Sequence, residues 1–180
     1  MSFLIFSVNP FSAQTKVEGV NFPSKITINN TSVVLNGGGL REKYGFLDLY
    51  VGALYIKSKS SDANKIIMAD EEMGIRIVIV SSMVTRERFI EALVEGFENT
   101  TAGASNQSQI NQFEKFYNDP FVETDEIVIT YVPGEGVHFY KNRDKRGTIK
   151  GLPFKQALFG IWLGGVPADD SLKEEMLGLD

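Results

Sequence analysis

Cysteine is absent from this sequence, which excludes disulfides, thiolate catalysis and cysteine-held metals. Histidine occurs once, as His138, so no site can rest on several imidazoles. No apolar run approaches the roughly 18 residues that a membrane-spanning helix needs. Lysine and arginine total 18 against 23 acidic residues, and the signs are interspersed, which disfavours the basic face of a nucleic-acid binder. There is no phosphate-cradling glycine loop and no Gly-x-Ser-x-Gly elbow. Nothing in the pattern implies a cofactor.

What is present suffices for one domain. A chain of 180 residues, 43% apolar, buries a core without staples. Residues 1–14 run from apolar to small, and Ser12-Ala13-Gln14 suits the approach to a cleavage point. The expectation is the remnant of an export signal, although a basic leading region is missing and the apolar core is short. Export would make the protein periplasmic or secreted; without it the chain is cytoplasmic. Residues 15–180 are taken as the single folded domain.

The stretch from Leu35 to Ile56 organises the rest. The glycines Gly37, Gly38 and Gly39 end one run of β-formers, and Arg41 follows. A long strand is predicted from Tyr44 to Ile56. Leu47, Leu49, Val51, Ala53 and Tyr55 share one of its faces; Phe46, Asp48, Tyr50, Gly52, Leu54 and Ile56 share the other. Both faces are largely apolar, as in a strand covered on each side. The buried phenol of Tyr50 needs a polar partner. Arg41 nearby and a gap made by glycine suggest an anion site, but the residues alone favour the simpler reading that Arg41 pairs with Glu42, Asp48 or another acid.

Elsewhere, Lys25–Ile28 and Thr31–Leu35 flank Asn29-Asn30 as a β-hairpin. A short helix is predicted over Ala63–Ala69 and a strand over Met73–Ser81. Thr85–Asn99 is the clearest helix, with Phe89, Leu93 and Phe97 on one stripe. Within it Ala92 and Gly96 form a small-residue patch, either for close packing or for ligand space. A second helix follows over Gln109–Tyr117. Strands are predicted over Asp125–Tyr131, Val137–Lys141 and Gly147–Gly151, and helices over Pro153–Leu163 and after Asp169-Asp170-Ser171. His138 is expected at an exposed or edge position, Trp162 in the core, and the acids at 70–72 and 123–126 in solvated loops. Hairpins with interleaved helices indicate an α+β layer: an antiparallel sheet with helices on one face.

Gly37-Gly38-Gly39-Leu40-Arg41, followed by Leu47-Asp-Leu-Tyr50-Val-Gly-Ala-Leu-Tyr55-Ile56, resembles the chalcone isomerase-like family, in its bacterial branch. Val17–Pro23, Glu91–Phe97 and Gly147–Gly151 with Phe154, Ala157 and Ile161–Gly164 agree, over residues 16–178. The resemblance implies an open-faced β-sandwich, a large antiparallel sheet covered by a helical layer. It also implies that Arg41 contacts ligand. Tyr50 stands where the catalytic isomerases carry threonine and the fatty-acid-binding members carry tyrosine. The isomerase helix supplies tyrosine, lysine and asparagine where this chain has Phe89, Ala92 and Gly96. Ring closure needs an oriented phenolate and a stabilised enone oxygen, which this set does not supply. The expected function is therefore non-catalytic binding of a fatty acid or similar apolar carboxylate. Arg41 and Tyr50 would hold the head group, and Phe89, Ala92, Leu93, Gly96, Phe97 and Leu54 would line the tail slot. The alternatives are an isomerase-type intramolecular lyase and an interaction module with no small ligand.

Overall fold

A computed structural model describes residues 13–179. The proposed leader therefore lies outside the described residues except for Ala13 and Gln14. Gln14, assigned to the leader in the sequence, belongs to a strand. Strands β1 (Gln14–Val17) and β2 (Val20–Pro23) form a small antiparallel hairpin. Its turn places Glu18 and Gly19 at positive φ, 44° and 82°.

Seven further strands form one antiparallel meander, each paired with its neighbour in sequence. They are β3 (Lys25–Ile28), β4 (Thr31–Lys43), β5 (Leu47–Ile56), β6 (Met73–Ile79), β7 (Glu126–Val132), β8 (Gly136–Lys141) and β9 (Asp144–Ile149). Two hairpins turn on adjacent residues at positive φ: Asn29 and Asn30, and Asn142 and Arg143. The second turn is tight, so β9 starts at Asp144, ahead of the strand expected from Gly147.

Among the described residues there are five helices: α1 (Ala63–Met68), α2 (Arg86–Asn99), α3 (Gln107–Phe116), α4 (Leu152–Leu163) and α5 (Asp170–Met176). Side-chain oxygens of Asp62, Thr85, Asn106 and Asp169 cap four of them by accepting an N–H of the first turn. The main core lies between sheet and helices. From the sheet it takes Tyr50, Leu54, Ile75, Ile77, Ile129 and Phe139, and from α4 Phe154, Leu158, Phe159 and Trp162. The opposite sheet face carries a smaller cluster in which Phe22 of the β1–β2 hairpin packs with Val33, Val51, Ala53 and Tyr55. The fold is α+β, as the patterning indicated.

The three glycines do not end a strand. β4 runs through them to Lys43, and their bareness serves helix packing. A Cβ on Gly37 would collide with the carbonyl of Glu175, and one on Gly39 with the Glu175 side chain. The gap expected to hold an anion is filled by α5. An irregularity just upstream leaves Asn36 unopposed by β5. Its amide donates to the carbonyls of Ser60 at 2.9 Å and Met176 at 2.8 Å, and its oxygen accepts from Ser60 N–H at 2.9 Å. This buried residue fastens α5 and the loop after β5 to the sheet.

His138 is not an edge residue. It is 3% exposed on β8 between β7 and β9. Its ring bonds Thr148 Oγ1 at 2.8 Å and Glu135 Oε2 at 3.0 Å. The loop acids are also engaged: Asp70 accepts from the Tyr131 hydroxyl, and Glu72 pairs with Lys57.

Near β8 and β9, Asp119 binds Lys141 Nζ at 2.7 Å and takes two bonds from Arg146, at 2.7 and 3.2 Å. Burial pushes the Asp119 carboxyl up, but the bonds and charges of Lys141 and Arg146 outweigh it and hold it at about 2, below its ordinary 3.8. The folded state thus binds this proton more weakly than the unfolded chain. The stability it contributes is complete above the ordinary value and is lost as pH falls through about 2. Denaturant midpoints measured from pH 5 downward are expected to fall less steeply in Asp119→Asn than in the native chain.

Candidate binding site between the sheet and helix α2

Arg41 and Tyr50 are direct cross-strand partners on β4 and β5. The register sets Arg41 on β4 beside Tyr50 on the next strand. The following pair is Glu42 with Asp48, which leaves Leu49 as an extra residue on β5. Strict alternation would send Leu49 to the face opposite Tyr50. The irregularity lets Leu47, Leu49 and Tyr50 all border one cavity.

That cavity has a volume of about 550 Å³, within the usual size of small-molecule sites. From the sheet side it is bordered by Arg41, Leu49 and Tyr50. Phe89, Ala92, Leu93 and Gly96 border it from α2, and Ile161, Val166, Pro167 and Ala168 from the end of α4 and the loop after it. Met83 and Val84 continue the apolar lining, while Lys43, Tyr44, Arg88, Glu91, Glu95 and Asn99 add polar groups. Tyr44, Met83 and Val166 are 75%, 44% and 56% exposed. They offer apolar surface that an occupant would cover.

The polar end is built with care for its hydrogen bonds. Trp162 Nε1 donates to the Tyr50 hydroxyl at 2.9 Å. The phenol oxygen is thereby an acceptor within the core, which leaves its own proton to donate elsewhere. Burial raises the Tyr50 pKa, partly offset by the Arg41 charge and the Trp162 bond, so the group remains a neutral donor at ordinary pH. Arg41 Nη1 lies 3.4 Å from Asp169 Oδ2 and 3.3 Å from the Glu42 carbonyl. Thus Arg41 has an internal acid, but Asp169 rather than Glu42 or Asp48. The ion pair is partly hydrated, its side chains being 20% and 15% exposed. A planar guanidinium has five donors and can serve two carboxylates at once.

Two residues expected along the slot lie elsewhere. Leu54 is fully buried in the main core. Phe97 stacks inward on Phe113 and Phe154, with ring centroids at 6.3 and 5.4 Å. Residue 97 lies one position round the helix from Gly96, which is enough to turn it from cavity to core. Gly96 has both suggested uses. A Cβ there would come within 2.6 Å of Ile161, so α2 and α4 touch closely, and the bare backbone also borders the cavity. Asp169 carried no sign in the sequence of belonging to this site beyond its capping position. Val166, Pro167 and Ala168 carried no signal at all.

A second cleft, of about 570 Å³, is lined by Arg86, Asn111, Glu114, Lys115 and Asn118. Every residue that lines it is polar or charged, and Arg86 is already bonded to the carbonyls of Tyr117 and Glu114. Among the described residues no group of three or more His, Asp or Glu is placed to hold a metal ion. No helix among them is long and apolar enough to cross a membrane.

An antiparallel sheet thus lies under a helical layer, with a cavity between them that Arg41 and Tyr50 border from the sheet side. The chain belongs to the chalcone isomerase-like family, whose sequence profile matches residues 14–178. No curated protein matches it in sequence. Its fold is similar to the crystal structure of a fatty-acid binding protein of Arabidopsis thaliana, AtFAP1, with a TM-score of 0.71 and 19% identity, covering 92% of this chain and 96% of that one.

Proposed function

We propose that the protein binds a fatty acid or a similar apolar carboxylate, without catalysis, in the cavity between β5 and α2. The observation that carries this reading is the cavity itself: about 550 Å³, with Phe89, Leu93, Ile161 and Val166 along it and Arg41 and Tyr50 side by side on the sheet. The Tyr50 hydroxyl and the Arg41 guanidinium hold the head group. Phe89, Leu93, Leu49, Ile161 and Val166 take the tail. Each buried methylene contributes about 0.8 kcal/mol, less the cost of ordering the ligand, so the slot reads chain length through its depth. Leu54 and Phe97, in the core, have no part in it. The fatty-acid binding protein of similar fold agrees with this ligand class. Phe89, Ala92 and Gly96 stand where the isomerase helix carries tyrosine, lysine and asparagine, which favours binding over that ring closure.

Ala92 is exposed along the cavity, so a large side chain there fills the slot without entering the core. Dodecanoic acid is expected to raise the melting temperature of the native protein and to leave that of Ala92→Trp unchanged. An equal rise in both would remove this cavity as the site.

A further inference from the structure

We propose that Asp169 sets the head-group preference of the cavity by acting as a resident counter-carboxylate on Arg41; this rests on the binding reading above. Asp169 does two things at once. Its Oδ2 lies 3.4 Å from Arg41 Nη1, and its Oδ1 accepts the N–H of Leu172 at 3.0 Å, capping α5. The preceding residue, Ala168, borders the cavity and donates its N–H to the Ile161 carbonyl at 2.7 Å. Held from both sides, the carboxylate stays beside Arg41 when a ligand arrives.

An incoming carboxylate therefore meets a guanidinium whose charge is already balanced, with a second anion next to it. Attraction to Arg41 is offset by repulsion from Asp169, and both are strengthened by partial burial. An uncharged head group, a hydroxyl or an ester or amide carbonyl, carries no such penalty. It still receives the Tyr50 proton and an Arg41 N–H. The native site thus discriminates weakly between an apolar acid and its uncharged analogue, and Asp169 is the specificity-determining residue.

The test compares dodecanoic acid with dodecanol, titrated near neutral pH into the native protein and Asp169→Asn. Asparagine keeps a capping oxygen for Leu172. The variant is expected to bind dodecanoate about tenfold more tightly than the native protein does, because a like charge beside the ligand is gone. Dodecanol is expected to bind both proteins alike. Asp169→Ser, which also retains a cap, should give the same shift and guards against a folding defect in one variant. If dodecanoate affinity is unchanged or falls in both variants while dodecanol still binds, Asp169 only orients Arg41 and the inference is overturned alone. If neither probe binds the native protein or the variants, the ligand reading fails and this inference with it.

Discussion

Lys155→Ala is expected to lower the folding stability by about 3–5 kcal/mol, from the buried side-chain volume lost and the carbonyls left without a donor. Lys155 is fully buried on α4, and its ammonium donates to the carbonyls of Ile66 at 2.9 Å, Ile67 at 2.8 Å and Ala69 at 2.7 Å. These are carbonyls at the C-terminal end of α1, which have no partner within the helix. One side chain uses all three of its protons on them and adds a positive charge at the negative helix end. The rings of Tyr131 and Phe159, at 5.6 and 5.3 Å, face the same ammonium. Lys155→Met separates the contributions. It fills most of the volume yet leaves the carbonyls bare, so it should lose less than Ala but still about 2 kcal/mol or more. Burial lowers the Lys155 pKa to about 8, with Asp70 and Glu71 opposing. The folded state releases this proton before the unfolded chain, whose value is 10.5. Native stability relative to Lys155→Met should therefore rise between those values. Urea midpoints of the three proteins measured across that window check both the size and the sign. A Lys155→Met variant as stable as the native protein would show that α1 needs no such cap.

Arg41→Ala is expected to weaken dodecanoate binding about 30-fold, or about 2 kcal/mol, in the range of a hydrogen bond to a charged group. Two effects act in the same direction. The ligand loses a charged donor, and Asp169 is left as an unbalanced anion beside the head group. Stability should change little, by about 0–1 kcal/mol, because the Arg41–Asp169 pair is partly hydrated and each member can turn to water. The two readouts thus separate a binding residue from a structural one. An isothermal titration with affinity unchanged, or an equal loss for dodecanol, would place the carboxylate somewhere other than Arg41.

Much of the fold can be read from local patterning, because each hairpin and each helix carries its own signal. Asn29-Asn30 turns as its residue types require, and the Phe89–Leu93–Phe97 stripe makes α2 and buries all three residues. The family resemblance placed Arg41 and Tyr50 together, and the register makes them partners. Tertiary information was harder to read. A run of glycines looks the same in sequence whether it ends a strand or clears room for α5; only the distant Glu175 decides between them. Strict alternation placed Leu49 on the wrong face, because a bulge of one extra residue shifts side chains without any composition signal. A helix stripe or a strand face assigns a side but not its neighbour, so Phe97 and Leu54 read as slot residues although they pack inward. His138 and Lys155 were missed for one reason. Polar side chains are usually outside, and the partners that let these two be buried lie on other elements: Thr148 on β9 for one, the α1 carbonyls for the other. Asp169 was legible as a cap, but its bond to Arg41, 128 positions away, was not.

Native mass spectrometry of the protein, purified without detergent and then offered dodecanoic acid, tests the central claim most directly. The account predicts one apolar carboxylate per chain in the native protein, whether retained from the cell or taken up from solution, and little or none in Arg41→Ala or Ala92→Trp. A native protein that stays empty at saturating dodecanoate, with no rise in melting temperature, would contradict it.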